Sequence, residues 1–276
     1  MAIDFNQQII DEFRANKGRV GGPFEGARLL LLTTTGARTG GKHTTPLGYL
    51  PDENDRVLVI GSAGGAPNHP DWFHNVLANP QVTVETGLYS YQANAVEVTG
   101  AERDRLFARA VEADPGWAEY QANTNRAIPV VALDPVHAGP PVSGGSFGEM
   151  LRGIHDVFRR EIELVRAEVA RSGPGIGAQL RVNCLNLCKG LEFHHTAEDA
   201  GMFPNLAVRF PELEPTLARL RAEHEVIAKL LDELQRVIMA DGPERAQVLG
   251  EVDRLAAELH EHLRYEEEQL IPLLDG

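Results

Sequence analysis

Four stretches of the C-terminal half place a histidine where a helical stripe calls for an apolar residue: His155, His194, His224 and His262. Two of them carry a glutamate four residues later, Glu198 and Glu266. A spacing of four puts both side chains on one helix face, about 6 Å apart at the backbone. Six ionisable groups turned into a core would each cost several kcal/mol without partners. A metal removes that cost by accepting imidazole nitrogens and carboxylate oxygens together. The set contains no thiolate and suits iron, zinc or manganese, and two carboxylates able to bridge favour a two-metal site. One histidine on an apolar stripe is usually a hydrogen-bonded core residue, but the same substitution on four facing helices points to a metal centre. His195 and Asp199 form a second pair, rotated by about 100° around the helix, and are the alternative register.

The elements that must position these residues are legible as period-3.6 patterns. Helices are expected at 147–171, 177–201, 215–239 and 244–274. The first carries Leu151, Ile154, Phe158, Ile162, Val165 and Val169 on one stripe with His155 inside it. In the third, His224 interrupts the seam Leu217, Leu220, Ile227, Leu231, Leu234 and Ile238. Val248, Val252, Leu255 and Leu259 lead into His262 and Glu266, and Leu180, Leu187 and Leu191 share a face with His194 and Glu198. Four such amphipathic helices make a bundle. Cys184 and Cys188 precede His194 on the same helix. Free cysteines are usually small core residues, with a redox role as the alternative.

The first half reads differently. Apolar extended runs at 28–34, 56–62, 81–85, 93–98 and 128–133 are separated by Gly- and Pro-rich turns. Short helices are expected at 5–15, 70–77 and 101–110. The stretch HAGPPVSGGS, 137–146, has the composition of a linker. The expected division is therefore 1–136, a linker at 137–146, and a helical domain at 147–276. A net charge of −14 excludes a nucleic-acid partner. No run of about 18 apolar residues occurs, so no membrane span is expected. Two cysteines build no disulfide framework, which makes the cytoplasm the expected compartment.

Two clusters in the first half could hold an anion. In TTTGARTGGKHTTPLGY, 33–49, glycines join two strands while Arg38, Lys42 and His43 add positive charge and threonines add hydroxyls. Backbone N–H groups, hydroxyls and cations together suit a phosphate. In the second cluster, 61–85, a strand ends at Ser62 and a glycine loop leads to a helix starting at Pro70 or Asp71. Helix N-termini favour anions, and Trp72 and Phe73 offer a flat apolar wall.

The segments GIHDVF, FHHTAEDAGMFP, RAEHEVI and HEHLRYEEEQLIPLL resemble the hemerythrin-like (HHE cation-binding) family. That resemblance implies an up-and-down four-helix bundle holding two non-haem irons through His155, His194, Glu198, His224, His262 and Glu266, with the two glutamates bridging. Oxygen-carrying members have five histidines, and the candidates for a fifth are His195 and His260. The pair TTTGARTG…TPL and HPDWFHNVLANPQVTVE, with the ending YQANTNRAIPVVAL, resembles the deazaflavin-dependent nitroreductase family. It implies a split β-barrel binding coenzyme F420, with FMN as the alternative cofactor, and a homodimer. By that resemblance Arg38 and Lys42 hold the cofactor's phosphate and acidic tail. Thr45, Pro46 and Leu47 lie along its ring, Ser62, Gly64 and Gly65 contact it from the next strand, and Trp117 and Tyr120 stand over the substrate pocket as catalytic candidates. The fusion implies an α+β oxidoreductase. Its reduced deazaflavin is coupled to a di-iron centre that reduces oxygen, peroxide, nitric oxide or a quinone or nitro compound. The competing reading is a non-enzymatic iron or oxygen sensor or store.

Overall fold

The computed structural model describes residues 2–53, 56–87, 89–136 and 146–275, with side chains from residue 5. The chain divides into two compact units, 1–141 and 142–276. Of the expected linker, only Ser146 lies within the described residues.

The first unit is a closed barrel of six strands: β1 (Leu29–Thr35), β2 (Lys42–Pro51), β3 (Val57–Ile60), β4 (Gln81–Glu85), β5 (Ser90–Val98) and β6 (Val130–Pro135). Their order is β1-β2-β3-β6-β5-β4, every pairing is antiparallel, and β4 closes onto β1. Side chains alternate along a strand, and one face of each fills the interior. Leu30, Leu32, Val59, Val82, Val84, Ala93, Ala95, Val131 and Leu133 meet there, joined by Trp72, Phe73 and Val76 of helix α2 (Asp71–Ala78).

The continuous leucine run in β1 follows from burial on both faces. Leu29 and Leu31 leave the interior and pack under Ile9, Ile10 and Phe13 of α1 (Ala2–Ala15). Likewise Leu58, Ile60, Val130 and Ala132 pack under Leu106, Phe107 and Ala110 of α3 (Gly100–Ala113). A short α4 (Gly116–Ala122), not expected from the pattern, carries Trp117 and Tyr120.

The second unit holds α5 (Phe147–Arg171), α6 (Ala178–Ala197), α7 (Phe203–Arg209), α8 (Glu214–Met239) and α9 (Arg245–Leu274). A capping box between Ser146 and Glu149 starts α5, satisfying two N–H groups that a helix start leaves open. The long helices form a four-sided bundle in which α5 and α8 each pack against α6 and α9. Where a single helix was expected to run to 201, α6 gives way to a π turn, Glu198–Met202, and then α7. Phe203 N–H donates to the Glu198 carbonyl, a five-residue step. Pro204 has no N–H to donate to the carbonyl four residues back, which favours this widening.

Candidate metal centre and cofactor cleft

The bundle core is not continuous. One apolar cluster, including Ile162, Leu191, Ile227 and Leu263, fills one part. A second, with Phe203, Leu217, Leu220 and Leu270, fills another. Outside both clusters, at buried positions on the same elements, lie His155 on α5, His194 and His195 on α6, Glu198 in the π turn, His224 on α8, and His262 and Glu266 on α9. None of the seven is more than 8% exposed.

Their donor atoms fall into two groups, each with its atoms within 4.8 Å of one another: His195, His224 and His262 in one, His155, His194, Glu198 and Glu266 in the other. The carboxylates span the two groups. Glu198 turns Oε1 to His194 Nε2 at 3.2 Å and Oε2 to His224 Nε2 at 3.5 Å. Glu266 Oε2 lies 3.4 Å from His155 Nε2 and 3.6 Å from His262 Nε2.

These contacts are not hydrogen bonds. Nε2 of all five histidines and both oxygens of each glutamate lack a hydrogen-bond partner among the described residues. Leaving such groups buried and unmatched costs about 1–3 kcal/mol each. The opposite ring nitrogens of three histidines are held: His155 Nδ1 by Glu267 at 2.9 Å, His224 Nδ1 by Asp199 at 3.0 Å and His262 Nδ1 by Glu223 at 3.0 Å. Arginines hold two of these carboxylates, Arg159 on Glu267 and Arg219 on Glu223, each at 2.7 Å. A carboxylate on Nδ1 keeps the proton there and leaves the Nε2 lone pair for a metal.

Burial pushes the histidines towards the neutral, ligating form. His194 is lowered to about 2 and His262 to about 4, while His155, His195 and His224 shift the same way. Burial, then the charge of Glu266, raises Glu198 well above the usual carboxyl range, and burial lifts Glu266 to about 8. Neutral imidazoles facing carboxyls that resist ionisation are a site short of positive charge. The donor set suits two cations, one at three imidazoles and one at two, with Glu198 and Glu266 between them.

The barrel unit carries a cleft of about 920 Å³. It is lined by the β1–β2 turn with Arg38 and Thr39, by Lys42, His43, Thr44 and Thr45 of β2, by Trp72, His74 and Asn75 of α2, and by Asn6, Gln7 and Ile10 of α1. Gly40, at φ +68°, makes the left-handed step that closes this turn. Asn75 fixes the turn to α2, accepting from Ala37 N at 2.9 Å and donating to Thr34 Oγ1 at 3.0 Å. Thr33 and Thr44 are cross-strand partners whose hydroxyls meet at 2.8 Å.

Residues 6–135 match the F420H(2)-dependent quinone reductase family, and residues 147–274 match the hemerythrin HHE cation binding domain. An F420H(2)-dependent quinone reductase of Mycobacterium tuberculosis is 39% identical over 125 residues, 44% of this chain and 83% of that protein. The chain belongs to the F420H(2)-dependent quinone reductase family, with a hemerythrin domain fused to it. A putative quinone reductase of the same organism is 35% identical over 106 residues, 38% of this chain and 88% of that one. A solved F420-H2 dependent reductase, FDR-A, is 42% identical, covering 39% of this chain and 94% of its own, with a TM-score of 0.36.

In the reductase barrel, the expected cofactor residues do not all converge. Arg38, Lys42, Thr45 and Trp72 line the cleft, and Pro46 and Leu47 continue β2 beyond it. Ser62, Gly64 and Gly65 lie outside it, against α4, where a Cβ on Gly65 would come within 2.9 Å of the Tyr120 carbonyl. Arg126 pins this loop, donating to the carbonyls of Gly61, Ser62 and Ala66. Trp117 packs with the α3 core and meets Tyr120 edge-on at 6.0 Å. In the hemerythrin domain, His195 joins the donor groups. His260 is 41% exposed at its side chain, 3.9 Å from Glu163, and stays outside them. Asp199 holds His224 Nδ1 rather than entering a group. The sequence signal for His195 was its place beside His194. Nothing in the spacing pointed to Asn6, Gln7 or Ile10, which tertiary packing alone brings to the cleft.

Proposed function

We propose that the barrel binds reduced F420 in the β1–β2 cleft and delivers a hydride to a quinone or nitro acceptor. The hemerythrin domain holds two iron ions, and its centre exchanges electrons with the same cofactor pool to reduce oxygen, peroxide or nitric oxide. The observation that carries this reading is the presence on one chain of a reductase barrel and of two donor groups sharing Glu198 and Glu266. When bound, the reduced deazaflavin supplies a hydride and the iron pair supplies redox equivalents.

The chain's own residues bind and orient. Arg38 and Lys42 place positive charge at the cleft for the cofactor's phosphate and acidic tail. Trp72 and Thr45 would border the ring from the cleft, with Pro46 and Leu47 next along β2. Ser62, Gly64 and Gly65 would contact the cofactor from the loop after β3, and Trp117 and Tyr120 of the adjoining α4 would stand over the substrate. In the bundle, His155, His194, His195, His224 and His262 would hold the metal through their unpartnered Nε2 atoms, and Glu198 and Glu266 would supply carboxylate oxygens to both donor groups. Glu267, Asp199 and Glu223 retain the Nδ1 protons.

Mixing the iron-loaded chain with reduced F420 and following deazaflavin absorbance tests both halves. With menadione and no oxygen, oxidation is expected and should fail in Arg38→Ala/Lys42→Ala. With oxygen and no quinone, the wild type should oxidise F420 faster than a His155→Ala/His262→Ala variant. Equal rates there would sink the coupling between halves, and absence of F420 binding would sink the reductase reading. One zinc per chain, rather than about two irons, would sink the di-iron centre.

A further inference from the structure

A cavity of about 550 Å³ opens within the bundle unit, between the first turns of α5, the end of α6 with its π turn, and α7. Its walls are mainly apolar, with Met150 and Ile154 facing Met202 and Leu206, while the exposed Asn205 and Arg209 also border it. Its floor is polar, formed by His194 and Glu198, whose Nε2 and carboxylate oxygens have no hydrogen-bond partner among the described residues. The cavity therefore reaches one donor group and not the other, because His195, His224 and His262 take no part in its lining.

Size decides between occupants. A diatomic gas or a peroxide needs a space on the order of one water, about 30 Å³. Pockets for organic molecules span about 300–1,000 Å³, and this cavity falls in that range. Two features narrow the chemistry. The one cation among the described lining residues, Arg209, is exposed, so the acidic floor and the apolar walls beside it favour an uncharged occupant, and methionine thioethers pack well on ring faces and edges. A hydroxyl on such a ring could donate to Glu198.

We propose that this cavity is a binding site for an uncharged ring-sized molecule of the phenol or quinol class, its ring between Met150, Ile154, Met202 and Leu206 and its hydroxyl at Glu198. The direction of the hydroxyl rests on the metal-centre reading above, whereas the walls are built from side chains alone. Gly201 is part of the lining, and a Cβ placed on it meets nothing within 4 Å. A side chain there can therefore start from open space at the cavity lining.

The test is calorimetric titration of 4-propylphenol into the full chain, metal-loaded and metal-free, with metal content measured on each sample. The expected result is one saturable site per chain, weakened at least tenfold in Gly201→Leu with metal content unchanged. Ala197→Phe, at an exposed lining position, fills the cavity from the helix side and should weaken binding similarly if Gly201→Leu does not fold. Absence of saturable binding, or affinity unchanged in the filled variants, overturns the proposal. Metal content separates the two readings: a chain that takes up no metal overturns the metal-centre reading, and saturable phenol binding by that same chain leaves the cavity standing.

Discussion

The imidazole of His195 lies flat on that of His224, ring centroids 4.2 Å apart and planes within 14°. His262 meets the same His195 ring edge-on at 5.2 Å. These contacts gather three rings from three helices around one point, with Nε2 of each left unmatched. His195→Ala should therefore lower metal content from about two ions per chain to about one. His260→Ala, on the exposed face, should leave it unchanged. Elemental analysis of the purified variants checks this, and equal loss in both would remove His195 from the donor set.

The carboxylates behind the histidines offer a graded test. Glu267 on His155 and Glu223 on His262 sit outside the donor groups but fix the ring tautomers. Removing such a partner typically costs ten- to a hundredfold in metal affinity. Glu267→Gln and Glu223→Gln should each show that loss in chelator competition while retaining full helical content. Arg159→Ala and Arg219→Ala, one step further out, should show smaller losses.

Acidity acts on the metal-free bundle from both sides. Its histidines are lowered in the fold, so the unfolded chain binds protons that the native one refuses, and stability falls as pH drops below about 6.5. Glu198 and Glu266 are raised, so the native state keeps protons that the unfolded chain releases near 4.5. Their contribution is present below that value and is lost as pH rises through about 8, where Glu266 ionises in the fold. The unfolding temperature of metal-free protein should thus peak near neutrality and decline towards pH 5 and pH 9. A flat profile would mean that the donor groups open to water when metal leaves.

In the barrel, Asp52 is 1% exposed, and its carboxylate takes Arg109 Nη2 at 2.7 Å and Arg56 Nε at 2.6 Å. Burial alone would raise its pKa, but the bonds from both arginines overcome that and hold it low. Asp52→Ala leaves the buried Arg109, among the described residues, with only Glu53, at 3.7 Å, and should cost about 3–5 kcal/mol, read by urea unfolding. Asp52→Asn, which keeps an acceptor for Arg109, should cost less.

Much of the bundle was legible from spacing. The helix expected at 147–171 is α5, and the seams through His224 and His262 run as α8 and α9. On α6 the pair His194 and Glu198 was expected to point inward with His195 and Asp199 as the alternative, because a uniform α-helix through residue 201 turns only one pair to the core. The protein departs from that turn at Glu198–Met202. It uses histidines from both registers, sends Glu198 inward, and leaves Asp199 to a partner on α8. Glu223 shows a second limit: it precedes His224 in sequence but serves His262 on the neighbouring helix. In the barrel the apolar extended runs located five of the strands, and β2 followed only from the glycine turn after β1. The cleft also draws Asn6, Gln7 and Ile10 from α1, which only the packing of Phe13 and Ile9 beneath β1 brings there.

The polar layer that divides the bundle core has a consequence for cooperativity. The apolar cluster around Leu231 and Val252 is large, while that around Phe203 and Leu217 is small and joined to it across the histidines. Metal ions gripped by α5, α6, α8 and α9 would act as a cross-brace, and their binding energy would count as folding energy. Stripped of metal, the small end loses its strongest tie. Amide exchange in α7 and the last turns of α9 should then proceed through partial opening, while the centre of α8 still exchanges only by global unfolding. The metal would then decide whether this bundle unfolds as one foldon or two.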